Sequence, residues 1–148
     1  MRLQSAIFTL PDALLDGSGG REGADKVLSI LKMESVWLYA VTALDRKTAE
    51  ERLRAAGLAE HFRGILTEHE ANCPVYSETM LEKAMRRLRS QKTDTVVFTG
   101  ALAGVETAKK AGFRAVAVGG TAGEDEWEKM RALADYALPR YGDWLKLE

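Results

Sequence analysis

Residues 95–120 read TVVFTGALAGVETAKKAGFRAVAVGG, and this stretch decides the class of fold. Its first four residues are β-branched and aromatic, the composition of a strand. The strand pattern stops at Thr99-Gly100. Residues 103–111 follow as a helix closed by Gly112, and residues 115–118 form a second apolar run that stops at Gly119-Gly120. A strand, a helix and another strand in this order imply parallel pairing through a right-handed crossover.

The same alternation extends towards the N-terminus. Ala6-Ile7-Phe8 begins a buried strand that ends at Pro11-Asp12. Glycines at 17, 19, 20 and 23 predict a loop over residues 17–23. Val27, Leu28, Ile30 and Leu31 have helical spacing within residues 24–33. Residues 36–41 read as a strand. Thr48 and Glu51 are spaced as a capping box, which predicts a helix from there to Ala56 with Gly57 as its left-handed stop. Gly64-Ile65-Leu66 is a short strand, residues 68–77 an irregular loop, and residues 78–89 an amphipathic helix through Leu81, Ala84, Met85 and Leu88. Beyond residue 120, residues 124–133 form a helix and Tyr136-Ala137-Leu138 a last short extended segment.

Runs this apolar suit a sheet covered on both faces. The expected architecture is a three-layer α/β/α, doubly wound domain with a mainly parallel five-stranded sheet, spanning residues 1–148 as one unit. A chain of 148 residues is long enough for its own core. With 46% hydrophobic and 29% charged residues and a net charge of −1, it offers no global field to draw in nucleic acid or an anionic membrane. There is one cysteine, Cys73, so no internal disulfide forms. No apolar run is long enough to span a membrane, and the first residues lack the long apolar core of a secretory signal. The cytoplasm is the expected location.

In doubly wound sheets ligands bind beyond the carboxyl ends of the strands. Those ends fall at residues 9–12, 42–45, 67–73, 99–101 and 119–122. Here the chain resembles a known family. Residues 6–16, AIFTLPDALLD, resemble the first motif of the haloacid dehalogenase-like (HAD) superfamily, Phe-Asp-x-Asp-Gly-Thr-Leu-Leu-Asp. Residues 38–43 are similar to the strand that ends in the second motif, whose hydroxyl falls on Thr42. Residues 55–65, AAGLAEHFRGI, resemble the segment after it. Residues 96–112 resemble the fourth motif with its strand, loop, helix and glycine stop, and residues 134–138 the C-terminal segment.

The resemblance implies a phosphohydrolase core. In that family the leading Asp of the first motif attacks phosphorus, and the Asp two residues on is the general acid and base. The second motif's hydroxyl and the third motif's Lys hold the phosphate, and the fourth motif's Asp helps bind Mg²⁺. Charge on the transferring group requires such donors and a cation around it, and Mg²⁺ requires hard oxygen ligands. This chain departs at those positions. Thr9 stands for the nucleophile, Pro11 for the acid, Cys73 before Pro74 for the lysine, and Gly100 for the metal carboxylate. Only Thr42 is retained. The catalytic positions are therefore degenerate, and no metal or other cofactor is expected, although the family would use Mg²⁺. Thr42, Thr9, Asp12, Ala43 and Thr99 are the candidate ligand-binding residues. About 25 residues separate Asp16 from Thr42, too few for a cap domain between the first two motifs.

Other clusters have plainer readings. Asp12 and Asp16 serve the turn and the loop after the first strand. Glu68, His69, Glu70 and Cys73 lack zinc-site spacing, and Cys73 has only His69 nearby as an activating base. Lys83, Arg86, Arg87, Arg89 and Lys92 are the solvated face of a helix. Trp127, Tyr141 and Trp144 belong to core or edge packing. Three functions fit: a non-catalytic module that binds a small molecule or protein partner, an enzyme with altered chemistry through Thr9, Thr42, His69 or Cys73, and a structural homo-oligomer.

Overall fold

The computed structural model describes residues 3–16, 19–119 and 122–146. Its first strand, β1 (Ser5–Leu10), leads through a tight turn into a two-stranded antiparallel hairpin, β2 (Leu15–Asp16) with β3 (Gly19–Gly20). Then follow α1 (Ala24–Met33), β4 (Trp37–Thr42), α2 (Arg46–Ala55), β5 (Phe62–Thr67), α3 (Glu68–Ala71) and α4 (Glu78–Arg87). The chain continues with β6 (Thr95–Thr99), α5 (Leu102–Lys110), β7 (Arg114–Val118), α6 (Glu124–Leu133) and β8 (Tyr136–Leu138).

Six strands make one parallel sheet in the order β5-β4-β1-β6-β7-β8. The sequence expectation of five strands is short by one: residues 136–138 add β8, which pairs in parallel with β7. The chain winds outwards from β1 through β4 to β5, then returns to the centre at β6 and winds the other way. The direction reverses beside β1, so the crevice of such a sheet lies over the ends of β1 and its neighbours.

Alternate residues of each strand feed two cores. Ala6, Phe8, Leu38, Ala40, Val96, Phe98, Val116 and Val118 pack against α1 and α2 through Val27, Leu28, Leu31, Ala49 and Leu53. Ile7, Tyr39, Val41, Val97, Ala115 and Ala117 pack against the remaining helices through Met80, Leu81, Ala84, Val105, Ala108 and Met130. The apolar runs read from sequence are buried because both faces are covered.

Several boundaries differ from the sequence reading, each for a local reason. The helix placed at Thr48 begins two residues earlier. Asp45 is its N-cap and accepts from the Thr48 amide at 2.8 Å and its hydroxyl at 3.0 Å, so Thr48 sits in the first turn. The capping box lies elsewhere: Thr67 and Glu70 satisfy each other's amides and turn residues 68–71, expected to be irregular, into the single turn α3. Helix α4 stops at Arg87 because Arg89 has φ +55°, a left-handed conformation that ends a helix. The glycine-rich loop is in part the β2–β3 hairpin. Gly57 and Gly112 take the left-handed conformation (φ +75° and +91°) expected of helix stops. Gly17, Gly120 and the Trp144 side chain, singled out in the sequence, lie outside the described residues. Among the described residues no helix is long and apolar enough to cross a membrane.

Candidate functional site at the ends of β1 and β6

The turn after β1 is fixed from several sides. The Ala13 amide donates to the Thr9 carbonyl at 3.0 Å, and the Leu15 amide to the Pro11 carbonyl at 2.9 Å. The hydroxyl of Tyr141, a side chain 1% exposed, donates to the Ala13 carbonyl at 2.6 Å. Burial holds that phenol well above its ordinary range, so it remains a donor at any physiological pH. Arg21 reaches back from the hairpin, donating to the Asp12 carbonyl at 2.8 Å and also to the Gly119 carbonyl at the end of β7.

This turn aims the Asp12 carboxylate at the ends of β1 and β6. Its Oδ2 lies 2.6 Å from Thr9 Oγ1 and 3.1 Å from Thr99 Oγ1, and accepts from the Gly100 amide at 2.7 Å. Its Oδ1 accepts from the Tyr76 hydroxyl at 2.8 Å. The two threonine hydroxyls are 2.8 Å apart and almost fully buried. Burial, with Asp12 beside it, holds the Tyr76 phenol protonated far above its usual range, which keeps it a donor. Nearby, the Leu102 amide in the first turn of α5 donates to Glu126 at 3.1 Å. Two carboxylates of the chain itself thus serve the amides at the start of α5.

Thr42, wholly buried at the end of β4, donates to the Leu10 carbonyl at 3.0 Å and accepts from the Leu44 amide at 3.0 Å. Its hydroxyl ties the ends of β1 and β4 together, with donor and acceptor capacity both engaged. Ala43 beyond it is exposed. Of the sequence candidates, Thr9, Thr99 and Asp12 converge in one cluster, with Gly100 contributing its amide. Pro11 only shapes the turn. Asp12 does more than the turn role assigned to it in the sequence reading: it is the hub. Tyr76 was missed because it lies 64 residues from Asp12, and no local pattern announces that contact.

A divalent cation does not fit this centre. Mg²⁺ requires several oxygen ligands with free lone pairs. Asp12 is the carboxylate at the cluster, and its oxygens face hydroxyls and an amide that present hydrogens. Among the described residues no group of three or more His, Cys, Asp or Glu side chains could hold a metal ion.

The neighbouring clusters resolve into structural contacts. Glu68 accepts from the Val75 amide at 2.7 Å, and Cys73 packs against the second core. Lys83 donates to the Ala71 carbonyl, Arg87 to Tyr39, and Lys92 pairs with Glu82. Trp127 packs against the second core and Tyr141 lies in the first. Glu70 accepts from Arg46 at 2.7 and 2.8 Å, which holds its carboxyl down at about 2 from an ordinary 4.5. A depressed carboxyl contributes stability that is whole above pH 4.5 and is lost as the pH falls towards 2. Because this pair is solvated, its contribution is below about 1 kcal/mol. The urea midpoint of Arg46→Gln should therefore fall slightly below that of the wild type at neutral pH, and the gap should narrow as the pH drops through that window.

A three-layer sheet with its turn-bound cluster at the switch point defines an α/β protein of the doubly wound class. Residues 19–118 match the sequence model of the haloacid dehalogenase-like hydrolases, and the chain belongs to that family. No curated protein matches it in sequence. Solved structures share the fold at low identity. One is L-2-haloacid dehalogenase of Xanthobacter autotrophicus with chloropropionic acid covalently bound (TM-score 0.80, 10% identity, 98% of each chain covered). Another, from Bacillus subtilis, is described as a HAD-hydrolase bound to magnesium (TM-score 0.83, 13% identity, 99% of each chain). A third is a HAD-superfamily hydrolase of Ehrlichia chaffeensis (TM-score 0.78, 11% identity, covering 99% of this chain and 97% of that one).

Proposed function

We propose that this member of the family does not hydrolyse phosphate esters and acts as a capless, single-domain binding or regulatory module. One observation carries the reading. At the positions of nucleophile and acid stand Thr9 and Pro11, and the carboxylate that does reach the centre, Asp12, is held there by four protein donors. A nucleophile needs a free lone pair and an activating base. Thr9 donates to Asp12, but that carboxylate is engaged by three further donors and the Thr9 oxygen is buried against Thr99, so neither group is open to a substrate. Thr42, the retained phosphate-binding hydroxyl, is engaged by two backbone groups.

A cleft of about 670 Å³ beside the hairpin, walled by Arg21, Gly23, Lys26, Arg140 and Tyr141, is of a size that accommodates a small molecule. It supports binding as the activity retained. A homo-oligomer is a further form this module could take. Membership of a hydrolase family favours the alternative, a hydrolase with altered chemistry.

The deciding experiment assays the purified chain against a panel of phosphate esters with Mg²⁺. No turnover above the uncatalysed background is expected. Turnover that disappears in Thr9→Val or Thr42→Val would overturn the reading in favour of the hydrolase.

A further inference from the structure

The misfit of a cation at the strand ends has a positive counterpart. Thr9 Oγ1, Thr99 Oγ1, the Gly100 amide and the Tyr76 hydroxyl converge from β1, β6, the start of α5 and the segment before α4. All four present hydrogens to one small volume, at the amino end of a helix of nine residues. Such a set of donors is complementary to an oxyanion. A carboxylate sits among them, delivered by a turn that is itself fixed by Arg21 and Tyr141.

We propose that the cluster is an oxyanion site whose resident anion is the chain's own Asp12 carboxylate. The turn over residues 11–14 acts as a tethered ligand that shuts the site to free small anions. This deepens the reading of lost hydrolysis and rests on the same Asp12 contacts. Tethering gives the carboxylate a high effective concentration, so a free anion does not displace it. Removing the side chain takes away the acceptor shared by the Thr99 hydroxyl, the Gly100 amide and the Tyr76 phenol, with Thr9 left only Thr99 Oγ1 at 2.8 Å, and a free anion of carboxylate shape then takes its place.

The experiment is thermal unfolding of Asp12→Ala titrated with sodium formate, with sodium chloride at matched ionic strength as control. The variant should melt below the wild type and recover in a formate-specific way, by a gain that rises with the logarithm of the formate concentration above its Kd. At a tenfold excess over the formate Kd the gain should be about 3–6 °C. The wild type should show no difference between the two salts. Adding Thr9→Val to Asp12→Ala removes one donor and should weaken formate by about tenfold.

Identical responses of Asp12→Ala to formate and chloride would overturn the proposal. If Asp12→Ala does not fold unaided, recovery of folded protein on refolding, read by circular dichroism, replaces the melting point. Recovery with formate and not with chloride is then expected, and equal failure in both overturns the proposal. The ester assay and this titration fail independently: turnover by the wild type refutes lost hydrolysis, whereas only the titration tests the internal anion.

Discussion

Phe8→Ala should destabilise the protein by about 3–5 kcal/mol, as measured by urea unfolding. Phe8 is wholly buried on the central strand. Its ring stacks on Phe98 of β6 with centroids 4.5 Å apart and an interplanar angle of 11°, and meets Phe62 of β5 edge-on at 5.8 Å. Truncation removes the transfer energy of the ring and opens a cavity between strands whose backbones are fixed by the sheet, so the walls relax little. Domains are stable by about 5–15 kcal/mol in total. The variant should therefore sit near the edge of folding at physiological temperature. Phe8→Leu, which refills much of the volume, should lose less.

Gly104→Val should be comparably damaging and should act on the cluster itself. A Cβ at position 104 would lie 2.8 Å from Thr99 Cβ, an atom fixed to the β6 backbone. Relief requires α5 to move or the Thr99 side chain to leave its place beside Asp12 and Thr9. Overpacking costs about 1–3 kcal/mol, and a stranded buried hydroxyl adds about 1–3 kcal/mol. Helix propensity favours other residues over glycine by up to about 1 kcal/mol and does not offset this. A rise in the urea midpoint of Gly104→Val, or even of Gly104→Ala, would show that α5 does not press on Thr99.

Much of this architecture was legible along the chain. Apolar runs such as those over β1, β4, β6 and β7 are continuous because both sheet faces are covered, and Gly57 and Gly112 mark helix ends by a backbone requirement that other side chains meet poorly. The capping of α2 was misread because Asp45 and Thr48 are both competent caps, and only the start of the hydrogen-bonded turn distinguishes them. β8 was faint because a three-residue edge strand has too few residues to show a period. At the candidate site, the sequence reading sets Thr9, Pro11 and Gly100 apart as departures from the pattern of the family the chain resembles. The hydrogen-bonded cluster formed around them was not legible there. That Asp12 turns inwards depends on Tyr76, Arg21 and Tyr141, which meet only in three dimensions.

The position of β1 has a bearing on how the chain is made. Its two partners lie on opposite sides: Ser5 is registered against Trp37 on one side and Thr95 on the other. During synthesis from the amino end, β4 leaves the ribosome well before β6. Throughout that interval the future middle of the sheet is bordered on one flank by water. An exposed apolar border of this kind invites pairing with other chains. Nascent chains stalled ahead of residue 95 should consequently be the species most dependent on chaperones.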